Sequence, residues 1–509
     1  MAPPRWRLTW TWAGVSGSIS DVAPDFTRRA DLYGGASGVL SVGLRVQLRG
    51  IRSVAATVAA GVPLYTGTAD LYLGDELVVS GRWSADSTYG ADGEPLSLVL
   101  EEALDSDTGV WPPIGDAPTL GTDRLIDGAL GIRPGIVTSR TWPVISPSSQ
   151  GAGYPVVIGT PGTSDLPGAP APVISDGSAT AISVMAHAGP AAGTVTVWGP
   201  TRVADDAGGT TAPTLTSYTA TLSTATDRLG CVVVGDTFSS TAVGKPGWSP
   251  GGASYYTSWD GTASGLPSGA GDLLALALER SSLRVDVGSV RSARPLLNRY
   301  VLAGYVDDRV PPLEWVQAVL LPILPASLTP GPAGLELAIW PWLDTPDAVA
   351  LRLRADVGFS RASAVGYTSR SAPGAVRVLG AWCPSEGRCM REATASARDL
   401  LAARTASAGP RGGLESVETR IVWDAATLAR VARDRLLAAA VRRTVAYQCD
   451  PTIYGPGGRL ALRIGMPILL TDDAIRLSGA AAVIRSIEHS GSAMRVQVDL
   501  RDDGMHATG

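Results

Sequence analysis

Apolar residues in this chain come in short alternating runs, and glycine or proline cuts each run before it can lengthen. The chain holds 60 Gly and 37 Pro among 509 residues. That density favours many turns and short strands over long helices. The punctuation falls between regular apolar runs, so it reads as turns in a folded protein and not as disorder. The last fifty residues show the pattern best. Leu460, Leu462 and Ile464 alternate with small or charged residues, Gly465 and Pro467 interrupt, and Ile468 to Leu470 resume. Thr471-Asp472-Asp473 reads as a turn, followed by Leu477-Ser-Gly and the run from Ala482 to His489. Met494, Val496, Val498 and Leu500 then alternate with Arg495, Gln497 and Asp499, as a half-buried strand requires. The expectation is a small antiparallel barrel closing the chain, with no catalytic motif in it.

The length allows roughly three or four domains at about 100–200 residues each, enough to bury large cores without disulfides or metals. Charged residues make up only 17%, below the usual quarter or so. The formal net charge of −5 argues against a general nucleic-acid binder, which would show a basic surface. Lys245 is the only lysine; codon bias accounts for that, while arginine's planar fork also suits polar interfaces. At the start, Trp6 to Trp12 alternates apolar with polar residues, which reads as a strand and not as a signal-peptide core. No apolar run reaches the roughly 18 residues that cross a bilayer, so a soluble protein made in a cytoplasm is expected, without membrane insertion by this chain. Of the cysteines Cys231, Cys383, Cys389 and Cys449, only Cys383 and Cys389 are close. They read as reduced thiols, as a loop disulfide formed after release from the cell, or as part of a metal site recruiting Cys449.

Along the chain the expected organisation is α+β and mostly β: several small antiparallel barrel or sandwich domains with a few helices. Residues 1–150 read as a β-barrel domain with an extended linker. Its strands lie at Trp6–Trp12, Val42–Leu48, Leu64–Leu73, Glu76–Trp83 and Leu96–Leu100, with a hairpin turn at Gly74-Asp75. Residues 151–270 read as an inserted β-rich domain, with 250–270 as an exposed loop. Residues 271–420 read as an α+β domain. A helix from Ala270 to Arg280 carries Leu273, Leu274, Ala277 and Leu278 on one face; another runs 311–321 and stops before Pro322; a strand follows at Leu335–Trp342. Residues 421–509 read as a helix capped by Asp424, Ala425 to Val441, followed by the closing barrel.

Several of these segments resemble, in order, the baseplate-hub proteins of phage tails, of the late control protein D type and of long-tailed phages and gene transfer agents. They are Tyr65-Thr-Gly67, Val78-Val-Ser-Gly-Arg82, Gly93 to Glu102, Pro112-Pro113, Trp142-Pro143, Tyr154 to Gly159, the two later helices and the terminal barrel. The resemblance covers most of the chain apart from about 163–270. It implies a hub-like fold and a structural virion protein: a homotrimer at the baseplate or tail tip, closing the distal end of the tail tube and opening for DNA ejection. The implied neighbours are a distal tail or tube protein ring, the tape measure protein and a tail fibre or central tip protein. Family hubs carry two similar barrels per subunit, expected here at about 30–100 and 440–502. Ser80-Gly81 and Ser478-Gly479, each sixteen residues before a later strand, are a faint echo of such a repeat.

A ring of this kind works through complementary surfaces, and tryptophan and arginine are good anchors. With 14 Trp against 3 Phe, Trp340, Trp342 and Trp382 are the candidate subunit contacts, although most tryptophans are core residues. No catalytic, cofactor or metal residue is expected. The chain has only His187, His489 and His506 and no His-Glu-x-x-His motif. The adjacent carboxylates Asp307-Asp308 and Asp472-Asp473 read as solvated turn residues. An alternative reading is a host-glycan-binding protein using Tyr255, Tyr256 and Trp259 in the insert. A cell-wall-degrading tail enzyme, needing acids that converge in the same insert, is a third.

Overall fold

The computed structural model describes residues 6–12, 14–20, 23–32, 41–47, 67–83, 95–101, 156–170, 194–201, 214–221, 256–259, 266–306, 310–331, 334–340, 351–356, 358–367, 373–396, 413–439, 443–455, 458–490 and 493–500, with a few shorter pieces between them. The fold is α+β and mostly β, as expected.

The N-terminal strands are β1 (Trp6–Trp12), β2 (Val15–Ser20), β3 (Ala23–Asp31), β4 (Ser41–Gln47), β5 (Thr68–Leu73), β6 (Glu76–Trp83) and β7 (Pro95–Glu101). They pair in the order β2-β1-β5-β6-β7-β4-β3. Alternation sends Leu8, Trp10 and Trp12 of β1, and Ala69, Leu71 and Leu73 of β5, into the core. Leu73 pairs with Glu76 across Gly74-Asp75. Gly74 has φ +66°, a conformation that a tight hairpin turn needs and glycine supplies without steric cost.

Strands β8 (Val156–Ile158), β9 (Ala169–Pro170), β10 (Thr194–Thr201), β11 (Thr214–Thr221) and β12 (Tyr256–Trp259) follow. Four of them form the sheet β9-β12-β10-β11. The stretch 250–270, expected as an exposed loop, is in part a strand, because β12 pairs with both β9 and β10. Leu266 is buried and exchanges backbone hydrogen bonds with Val157 and Gly159. Small polar residues concealed this, since a strand with both neighbours present needs little apolar signal of its own.

Helix α1 (Ala270–Arg280) is buried over nearly its whole length. It packs on α2 (Val287–Leu297), where a Cβ added to Gly271 would stand 2.2 Å from the Arg294 carbonyl oxygen. Strand β13 (Gly304–Val306) pairs antiparallel with β8. Helix α3 (Pro312–Trp315) continues as a π-turn over Val316–Leu320. The expected second helix is therefore present, but its later half is wound wider, with the Leu321 N–H donating to the Val316 carbonyl at 2.9 Å. Strands β14 (Ala326–Gly331) and β15 (Gly334–Ile339) make a hairpin.

Two short strands, β16 (Leu351–Arg354) and β17 (Phe359–Arg361), belong to the closing barrel. Between them and the rest of it lie β18 (Ala375–Cys383), β19 (Arg388–Ser396) and β20 (Leu414–Glu418), in the order β19-β18-β20, and helix α4 (Ala425–Ala439). Leu428, Val431, Ala432 and Leu436 of α4 are buried with Val376 and Val378 of β18 and with the leucines of α1 in one core. The cap at Asp424 is present: its carboxylate accepts from the Thr427 N–H and Oγ1, each at 2.7 Å.

The barrel adds β21 (Arg443–Cys449), β22 (Pro467–Asp472), β23 (Leu477–Ser490) and β24 (Ala493–Leu500). Its strands run β16-β22-β23-β24-β21-β17. Asp356 and Phe359 exchange backbone hydrogen bonds within the turn that joins β16 to β17, and the sheet curls as a half-barrel with these two strands at its ends. Phe359, Tyr447, Ile468, Leu470, Ile484, Met494, Val496 and Val498 fill it. Residues 460–464, expected as a strand, are irregular. The Leu460 and Leu462 N–H groups donate to the carbonyls of Ile453 and Tyr454, which leaves no ladder, although Leu462 is still buried.

Candidate assembly interface

The N-terminal sheet and the barrel contain the same four-stranded unit. In the first, β4, β5, β6 and β7 pair as β4-β7-β6-β5; in the second, β21, β22, β23 and β24 pair as β21-β24-β23-β22. All of these pairings are antiparallel. Adding 400 to each residue number carries Thr68↔Arg82, Ala69↔Gly81, Asp70↔Ser80 and Tyr72↔Leu77 onto Ile468↔Ala482, Leu469↔Ala481, Leu470↔Ala480 and Asp472↔Leu477. The register slip falls at the same place, after Leu71 and after Leu470. In the return strands the same shift carries Gln47↔Pro95 to within one residue of Tyr447↔Val496. The sequence echo of Ser80-Gly81 in Ser478-Gly479 is not this correspondence, because Gly81 matches Ala481. Of these matched hairpin positions only Leu77 and Leu477 carry the same residue, so the likeness lies almost wholly in backbone pairing.

Strand β3 welds the two units. Its first half pairs with β4 and its second half with β23, where Thr27 to Asp31 oppose Ser490 to Ser486. Leu32 finishes the joint. Its N–H donates to the Arg485 carbonyl at 2.9 Å, and its own carbonyl accepts from Ser327 Oγ and, at 2.8 Å, from Trp340 Nε1. Trp340, expected at a subunit contact, is thus buried in the chain's own core with Leu32, Ala338 and Val483. An indole that must bury its ring and satisfy its N–H is best served inside.

Trp342 lies outside the described residues. Trp382 is half-buried, with the Arg420 guanidinium carbon 4.3 Å from its ring centroid. The register sets Cys389 opposite Trp382 and Cys383 opposite Arg388. The two cysteines therefore point to opposite faces of the hairpin, and both are free thiols. Of the readings offered for this pair, the geometry fits reduced thiols and not a loop disulfide. Burial, with the Glu418 charge adding to it, pushes the Cys389 thiol up to about 11, away from thiolate chemistry. Cys449 is buried in the barrel and pushed up to about 12.

Buried acids here serve structure. Asp472, expected as a solvated turn residue, is buried; it accepts from the Tyr447 hydroxyl at 3.0 Å and from the Ala474 N–H at 3.1 Å. Desolvation and this bond both raise the Tyr447 pKa. Its neighbour Asp473 is exposed and pairs with Arg354 at 2.9 Å. Asp107 accepts the N–H groups of Gly109, Ser282 and Leu313 at 3.1, 2.8 and 3.0 Å. Burial opposes its charge, but these bonds outweigh burial and hold the carboxyl below its usual range. Sequence reasoning missed Asp107, since its partners lie about 175 and 200 residues away. Among the described residues no group of three or more His, Cys, Asp or Glu is placed to hold a metal ion. Tyr256 lies in β12 and is half-buried, Trp259 ends that strand, and Tyr255 lies outside the described residues.

No family model matches the chain, and no curated protein matches it. Among solved structures it is similar to the 43 kDa tail protein of prophage MuSo2 from Shewanella oneidensis, at TM-score 0.37 and 10% identity over 98% of this chain and 99% of that one. It is also similar to a tail protein from Neisseria meningitidis MC58, at TM-score 0.35 and 10% identity over 98% and 97%. A chain from the virion of a native gene transfer agent particle matches at TM-score 0.28 and 16% identity, over 41% and 44%. Likenesses of this size carry no argument about assembly.

Proposed function

We propose that this chain is a structural virion protein of a phage tail: the baseplate or tail-tip hub that closes the distal end of the tail tube. The observation that carries the reading is the internal repeat of one four-stranded unit, the two copies joined through β3 in one continuous sheet. Two equivalent units per chain, in a homotrimer, offer six stations to a six-fold tube ring, while differing side chains let the opposite side follow three-fold symmetry. The order of sequence segments that resembles the hub family points the same way. The partners are a second and third copy of the chain, the tube ring, the tape measure protein and a fibre or central tip protein, all in the virion. Opening for DNA ejection displaces the ring without changing any covalent bond. Trp382, with Arg420 over its ring, is the proposed subunit contact among the residues singled out from the sequence.

Native mass spectrometry and electron microscopy of the purified chain, alone and with its tube protein, test this. The expected particle is a trimer whose contact surface for the tube shows near-six-fold repetition. A monomer that stays monomeric with the tube protein at micromolar concentration, or a six-copy ring of this chain, overturns it.

A further inference from the structure

One face of the sheet β9-β12-β10-β11 gathers aromatic and hydroxyl groups that the hub reading does not use. The register places Pro170, Tyr256, Trp198 and Ser217 in a single row across the four strands. In the next row Ser258 stands opposite Thr196. Leu215, 39% exposed, lies two residues from Ser217 and on the same face. Side chains alternate along a strand, so the intervening residues Ala169, Thr257 and Val197 point the other way, and all three are buried. Pro170, Tyr256 and Trp198 are half-buried and Ser217 is exposed. The aromatic row is therefore the outer face. Among the described residues, Trp198 Nε1 and Ser258 Oγ have no hydrogen-bond partner but are buried, and Ser258 lies under Gly162, where an added Cβ would stand 2.7 Å from Ser258 Cβ, so the accessible part of this face is the aromatic row. Ser258 itself is only 1% exposed.

We infer that this face binds a neutral saccharide, with a pyranose ring lying on the Tyr256–Trp198 row. A pyranose offers an apolar C–H face to an aromatic ring and hydroxyls at its rim, which suits a flat aromatic strip edged by the hydroxyls of Ser217 and Thr196. No position on this face named above carries a charge. That disfavours acidic sugars and nucleic acid, since nucleic acid needs arginine or lysine for its phosphates. Trp198 is the residue the sequence did not single out. Trp259, which it did, stands opposite Val195, three positions along the strand from Tyr256 and out of that row. The inference is independent of the hub reading, because it concerns the free chain and not its assembly.

The test uses the full chain on an array of neutral oligosaccharides containing glucose, galactose, rhamnose or N-acetylglucosamine, followed by titration calorimetry with those retained. The wild type should bind at least one class. Trp198→Ala and Tyr256→Ala should each weaken it tenfold or more, and Trp198→Phe should weaken it less, keeping a ring but losing the N–H. Circular dichroism and thermal melting identify variants that fail to fold, and Trp198→Phe is the variant that keeps the test decisive if the alanine forms do. Absence of binding by the wild type, or affinity unchanged in Trp198→Phe and in folded alanine variants, overturns the inference. A change in oligomeric mass with Trp198→Ala and no saccharide bound by the wild type also overturns it, and assigns the face to a protein contact.

Discussion

At the scale of single residues, the strongest interactions join parts of the chain that lie far apart in sequence. Asp107 holds three backbone N–H groups, two of them at the end of α1 and the start of α3. Asp107→Asn keeps the shape and removes the charge; it should cost about 1–3 kcal/mol at pH 7, read by urea unfolding. Because the folded carboxyl titrates below its ordinary value of 3.8, its contribution is complete above that pH and is lost as pH falls through the folded pKa. The gap between wild type and Asp107→Asn should therefore narrow in the same measurement below about pH 3.8; a gap that stays constant would show that the charge does not matter. Trp340→Phe tests the joint at Leu32. It keeps an aromatic ring but takes one of two donors from the Leu32 carbonyl, and should cost about 1–2 kcal/mol in equilibrium unfolding. Neither residue was legible as a joint, because a carboxylate or an indole reads the same in sequence wherever its partner sits.

At the scale of elements, local periodicity carried far. The strand Trp6–Trp12, the hairpin around Gly74-Asp75, helix Ala270–Arg280 and the cap of α4 all follow from short-range patterns. Asp424→Ala should cost about 1 kcal/mol, seen as a lower denaturation midpoint with the same slope. Other elements escaped for local reasons of their own. Helix α2 contains Gly288 and Pro295, both poor helix residues, and forms because Asp286 caps the Gly288 N–H at 2.9 Å and α1 lies against it. Strand β18 has Ala381 at φ +55°, a break in the alternation that a strand reading depends on. The contact between α1 and α2 gives a sharper test. Gly271→Ala would set a methyl group 2.2 Å from the Arg294 carbonyl, so the helices must separate, at a cost of about 1–3 kcal/mol. Calorimetry should show the loss, and an unchanged melting temperature would mean that the helices part freely.

At the scale of the whole molecule, β3 decides how the two repeated units behave. Ala30 opposes Ile487 in the ladder that joins them, and proline there removes a backbone donor from the strand, at about 1–3 kcal/mol for a partner left unpaired. Ala30→Pro should split a single calorimetric transition into two and open a protease-sensitive site near the joint. Retention of one cooperative transition would show that the units are held together elsewhere. The sequence by itself determined the class of structure: frequent glycine and proline limit element length, and period-two alternation commits most segments to strands with one buried face. It also set where several elements begin and end, since caps and turns depend on neighbours a few residues away. The tertiary structure alone decided which strands pair, that residues 351–361 supply both end strands of a half-barrel whose other strands come some eighty residues later, and that one backbone pattern occurs twice with almost no shared side chains. Pairing is a contest among distant segments for the same hydrogen bonds and the same buried faces, and alternation shows that a strand has such a face without saying which strand will cover it.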